Sequence, residues 1–123
     1  MIENQKKILI AEDEKSLAKA LSLKLGREGY VVDVALNGED AIEKLEKEKY
    51  DLLLMDLVMP KKDGFAVLEE LSKKGIKMPI IITSNLGQEE DQKRVMEYGV
   101  KEYLVKAKTP LTDIVDHIKK ALA

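Results

Sequence analysis

The chain has 123 residues, 45% of them apolar and 36% charged, and its 21 basic and 23 acidic side chains leave a net charge of −2. That size and composition fit one domain, residues 1–123, with a real core, and exclude a disordered tail or the basic stripe of a nucleic-acid binder. With no cysteine and one histidine, His117, thiol chemistry, disulfides and multi-histidine metal sites are excluded; no apolar run nears the ~18 residues of a membrane span, and "MIENQKK" lacks a signal-peptide core, so the cytoplasm is expected.

In chain order, Lys7 to Ala11 is the first strand-sized apolar run, and Lys15 to Glu28 the first helical segment. At about 100° per residue, Leu17, Ala18, Leu21 and Leu25 share its core face, while Leu23 points away beside Ser16, Ala20 and Arg27. Tyr30 to Ala35 is a second strand, interrupted by Asp33, and Asn37-Gly38 turns the chain into a helix over Glu39 to Lys47. Leu52 to Met55 is uninterrupted and ends on a lone acid, Asp56, before a helix over Gly64 to Lys74. Ile80 to Thr83 and Glu102 to Val105 are the last two strands, followed by helices over Gln88 to Tyr98 and Leu111 to Leu122. Thr109-Pro110 reads as an N-cap with proline at the first helical position. The stretch "QEEDQKR" offers no apolar side chain, so Val95, Met96 and Tyr98 have to anchor the fourth helix.

Five β–α units in succession predict an α/β fold with a parallel sheet covered on both faces. The third and fourth strands are apolar throughout, as two-sided burial requires, and the second and fifth suit the edges. Such sheets bind ligands beyond the carboxyl ends of their strands. There stand Glu12 and Asp13 after the first strand, Asp56 after the third, Thr83 at the end of the fourth and Lys106 after the fifth. A buried carboxylate is expensive unless paired. Three converging carboxylates suit a hard divalent cation such as Mg²⁺, which keeps room for a phosphoryl oxygen. A carboxylate is also a nucleophile toward phosphorus, with Lys106 and Thr83 placed to orient and neutralise the transferring oxygens. Taken singly, Glu12 and Asp13 would pass for helix N-terminal acids, and Lys106 for one surface lysine among many.

The motifs "IAEDE", "LLLMDLVMPKKDG", "IIITS" and "YLVKA", each at a strand end, resemble those of response-regulator receiver domains of two-component signalling over essentially the whole chain. The resemblance implies a flavodoxin-like sheet of order 2-1-3-4-5. It implies that Asp56 takes a phosphoryl group from a sensor histidine kinase. Mg²⁺ would be held by Asp13, Asp56 and the Val58 carbonyl, with Glu12 acting through water, and Thr83 and Tyr103 would form the switch pair. Separately from the resemblance, the outward Leu23 beside small residues on the first helix is expected to dock a helical kinase or phosphotransfer domain, and an unknown downstream protein is expected on the fourth helix, fifth strand and fifth helix. No direct nucleic-acid or membrane partner is expected.

One position departs from the family's pattern: Ala107, not proline, follows Lys106. A cis bond before a non-proline residue costs about 3 kcal/mol, so this bond is expected to be trans. Two further readings stand beside a stand-alone receiver: a piece of a longer regulator, and a binding module of the same fold without phosphoryl chemistry. A P-loop NTPase is excluded for want of GxxxxGK[ST], and a dehalogenase-type phosphatase because Val58 stands where it needs a second aspartate.

Overall fold

Alternating apolar runs and amphipathic segments fold here as five β–α units. The computed structural model describes residues 5–86 and 88–123; the opening residues 1–4, read above for a leader, and Gly87 in the loop before the fourth helix lie outside them. The elements are β1 (Lys7–Ala11), α1 (Lys15–Arg27), β2 (Val31–Ala35), α2 (Gly38–Lys47), β3 (Leu52–Asp56), α3 (Gly64–Lys74), β4 (Ile80–Ser84), α4 (Glu89–Met96), β5 (Glu102–Val105) and α5 (Leu111–Leu122). All five strands are parallel in the order β2-β1-β3-β4-β5, the expected flavodoxin-like arrangement. Every residue of β3 and β4 is buried, whereas β2 and β5 at the edges are half open.

Strand side chains alternate between faces, and two cores result. Leu9, Leu53, Met55, Ile80 and Ile82 pack with α2, α3 and Val95 of α4. Ile8, Ile10, Leu52, Leu54, Ile81 and Leu104 pack with α1 and α5. In α1 the buried side chains are Ala18, Leu21 and Leu25, Leu17 packs partly buried against the same core, and Leu23 is 54% exposed.

Caps fix where helices start. Asn37 Oδ1 accepts from the Asp40 N–H at 2.8 Å to open α2, and Asp63 Oδ1 accepts from the Ala66 N–H at 2.9 Å to open α3. Gly75, left-handed at φ 67°, closes α3.

Three expectations are corrected. Pro110 is itself the extended residue before α5, and Leu111 is the first helical one. Thr109 does not cap α5; its hydroxyl donates to the Val105 carbonyl at 2.8 Å and closes a short 3₁₀ turn over Lys106–Lys108. The fourth helix is shorter than predicted, because the Tyr98 and Gly99 N–H groups bond three residues back and Gly99 turns left-handed. Met96 is 48% exposed and anchors nothing; one residue past buried Val95, it is rotated about 100° away from the core. The Lys106–Ala107 bond is trans.

Candidate functional site

The order of the strands reverses between β1 and β3, and the chain's acids gather at that crevice. Glu12 follows β1 and is 2% exposed, and its backbone N–H is fixed by the Ala35 carbonyl of the next strand at 2.9 Å. Asp56 ends β3 and is also buried, with its Oδ1 accepting from the Val58 N–H at 3.3 Å. Asp13 is exposed beside them. One carboxylate oxygen from each of Glu12, Asp13 and Asp56 lies within 4.8 Å of the others, a set that could hold a cation. Two of the three donors are buried carboxylates, which suits a hard ion with oxygen ligands.

Lys106, the first residue of the 3₁₀ turn after β5, reaches across the sheet. Its Nζ stands 2.6 Å from Glu12 Oε1 and 2.9 Å from Asp56 Oδ2. Burial pushes the Glu12 carboxyl up, opposed by Lys106 and by the Glu14 N–H that donates to it. Burial works against the Lys106 ammonium as well, but the two carboxylates outweigh it and its pKa is raised. A charged lysine thus partly balances three acids, and a positive charge deficit remains. The cleft over this group, about 390 Å³, is walled by Val58, Asn85 and Leu86.

The fourth strand puts the two residues of the expected switch pair on opposite faces of the sheet. Thr83 shares its parity with Ile81, which packs toward α1 and α5, whereas Tyr103 packs on the opposite core with Ile80 and Ile82. The hydroxyl on the Tyr103 face is that of the next residue, Ser84, which is fully buried. Ser84 Oγ accepts from the Leu86 N–H at 3.1 Å, and the Tyr103 hydroxyl donates to the Leu86 carbonyl. Burial pushes the Tyr103 phenol up, and the Ser84 hydroxyl beside it works the other way. Reading the strand as ending at Thr83 hid this. The period-2 alternation of Ile80 and Ile82 was the signal that could have found Ser84.

The sequence profile of the response regulator receiver domain matches residues 8–119. The chain belongs to this family. Among curated relatives, the transcriptional regulatory protein ResD of Bacillus subtilis is 37% identical over 119 residues, 97% of this chain and 49% of that one. DltR of Streptococcus agalactiae is 36% identical over 100 residues, 81% of this chain and 45% of that one. The receiver domain thus spans about half the length of the curated relatives it matches. Among solved structures, the receiver domain of the Francisella response regulator 1452 superposes with a TM-score of 0.89 at 28% identity, covering 96% of this chain and 97% of that one. The response regulator TrrA of Thermotoga maritima, in complex with Mg²⁺-BeF, gives 0.81 at 31% identity, covering 96% and 100%. A receiver domain is a signalling domain of two-component systems, and the acids named above lie inside the matched span.

Proposed function

We propose that Asp56 is the phosphoryl acceptor of this receiver. A carboxylate oxygen attacks phosphorus on a histidine kinase's phosphohistidine, the P–N bond breaks, the imidazole leaves with the electron pair and takes up a proton, and an aspartyl phosphate forms. The observation that carries this reading is the placement of Lys106 Nζ within 2.9 Å of Asp56 and 2.6 Å of Glu12, a fixed cation beside a buried carboxylate. The ammonium neutralises charge that builds on the transferring oxygens and needs no reorganisation to do so. Asp13, Asp56 and the Val58 carbonyl, with Glu12 acting through water, would hold Mg²⁺, which would supply the remaining neutralisation. Ser84, in place of Thr83, offers the hydroxyl that meets a phosphoryl oxygen. Leu86 is bonded to both Ser84 and Tyr103, so movement of that hydroxyl passes to the loop before α4 and to the α4–β5–α5 surface, where a downstream protein reads it.

A kinase charged by ATP would meet this domain in the cytoplasm, and no helix among the described residues is long and apolar enough to cross a membrane. Exposed Leu23, on the helix that follows Glu12 and Asp13, is the docking point for the kinase or phosphotransfer helices. Incubation with acetyl phosphate and Mg²⁺ should add one phosphoryl group by intact mass, and Asp56→Asn should abolish the addition. Labelling that persists elsewhere overturns the assignment, and none at all in the unaltered protein favours a pure binding module.

The names and double length of the relatives favour a second reading of the output: this domain is the receiver half of a transcriptional regulator. The size of the native protein in its own cells separates that from a stand-alone receiver.

A further inference from the structure

Ala107 has a backbone N–H that a proline there would lack, and the chain uses it. Asn85, exposed at the end of β4, accepts from the Ala107 N–H through Oδ1 at 2.9 Å, across 22 residues of sequence. Ala107 is the second residue of the 3₁₀ turn that starts at Lys106, so its N–H is one that no carbonyl within the turn can satisfy. The far end of the same turn is closed by Thr109, whose hydroxyl donates to the Val105 carbonyl and whose N–H donates to the Lys106 carbonyl. Lys106 therefore sits in a turn held at both ends, one hold coming from its own chain segment and the other from a neighbouring loop.

We infer that Asn85 is a positioning residue for Lys106, capping from the β4–α4 loop the turn that aims the ammonium at Asp56. Two features of its surroundings fit that task. Asn85 stands between Ser84 and Leu86, which are bonded to each other, and Leu86 is bonded to Tyr103 as well, so its amide is delivered from a segment tied to β5. It also walls the cleft over the acids, and among the described residues its side chain bonds to the Ala107 N–H and to none of the three carboxylates, so the route to the site that its hydrogen bond offers runs through the Lys106 turn. The same bond joins the two loops that a phosphoryl group would draw together, and a shift of Ser84 is passed to Lys106 as well as to Tyr103.

This inference rests on the phosphoryl-acceptor reading above, and its test separates the two. Binding of Mg²⁺ alone, and of beryllofluoride at saturating Mg²⁺, is measured by calorimetry on the full chain and on Asn85→Ala. The amide exchange of Ala107 is followed by NMR in both and in Asn85→Asp, which keeps the acceptor oxygen. Asn85→Ala should leave Mg²⁺ affinity within twofold, weaken beryllofluoride about fivefold, the worth of one neutral hydrogen bond, and speed Ala107 exchange. Asn85→Asp should keep Ala107 protected. Unchanged beryllofluoride affinity in Asn85→Ala, or an equal loss of Mg²⁺ affinity, overturns the positioning role. An unaltered protein that binds no beryllofluoride overturns the acceptor reading instead.

Discussion

Gly38 forms the seat for the backbone of Lys62: a Cβ on Gly38 would stand 2.1 Å from the Lys62 carbonyl oxygen and 2.5 Å from its Cβ. The first turn of α2 thereby supports the β3–α3 loop, which carries Val58. That loop is tightly wound. Lys62 N–H donates to the Pro60 carbonyl at 2.8 Å across Lys61, which is left-handed at φ 68°, and Gly64 N–H closes it on the Leu57 carbonyl at 2.8 Å. Alanine is the better helix former by about 1 kcal/mol, so propensity alone favours Gly38→Ala. The contact is with backbone and cannot swing aside. We expect the substitution to destabilise by about 2 kcal/mol in urea unfolding, as overpacking does. A gain in stability would show that the loop yields freely.

Asp13 has no ion-pair partner among the described residues, while Glu12 and Asp56 share Lys106. Without Mg²⁺, Asp13 contributes repulsion only. Asp13→Asn should stabilise the metal-free protein by about 1 kcal/mol, raising Tm by about 4 °C. If the folded acids bind Mg²⁺, the ion should raise the Tm of the unaltered protein but hardly that of the variant. Thermal melts with and without Mg²⁺ check both halves; parallel shifts in the two proteins would remove Asp13 from the cation set.

Tyr50 is buried with its hydroxyl donating to Asp33 Oδ2 at 2.6 Å, and Glu48 Oε2 lies 3.1 Å away. Burial, followed by the two carboxylates, drives the phenol far above its ordinary value of 10.0. From neutral pH up to pH 10 the phenol keeps its proton in both states and its hydrogen bond is intact, and Tyr50→Phe should cost about 2 kcal/mol. Above pH 10 the unfolded phenol ionises and the folded one does not, so the unfolded state gains and stability falls. The difference between the two proteins should therefore shrink from pH 10 upward in urea unfolding. A constant difference to pH 11 contradicts this.

Val95 is the one buried side chain of α4, and Arg94 adds a stacking contact 4.1 Å over the Phe65 ring of α3. A helix held at one end opens locally at little cost. Amide exchange should be faster over residues 89–94 than in any other helix, and it should change there when beryllofluoride and Mg²⁺ bind. Arg94→Ala should speed it by about fivefold, the loss of one cation–π contact of about 1 kcal/mol. Equal protection in all five helices would remove α4 as the mobile element.

Some of this is written in the one-dimensional pattern. Unbroken apolar runs at Leu52 to Met55 and Ile80 to Ile82 can lie only in strands buried on both faces, and the amphipathic segments between them force parallel crossovers. Strand ends share one rim of such a sheet, so Glu12, Asp13, Asp56 and Lys106 are brought together by topology alone. Tertiary structure decided what depends on a single residue of register or on contacts between distant loops. One residue of strand length exchanges Thr83 for Ser84, because the pleat turns each successive side chain to the other face. The Asn85 amide meets Ala107, and Gly38 meets Lys62, only once strands and helices have packed, since no local periodicity encodes the distance between two loops. Met96 went the same way: its apolar character invites burial, but the 100° step from Val95 leaves it in solvent.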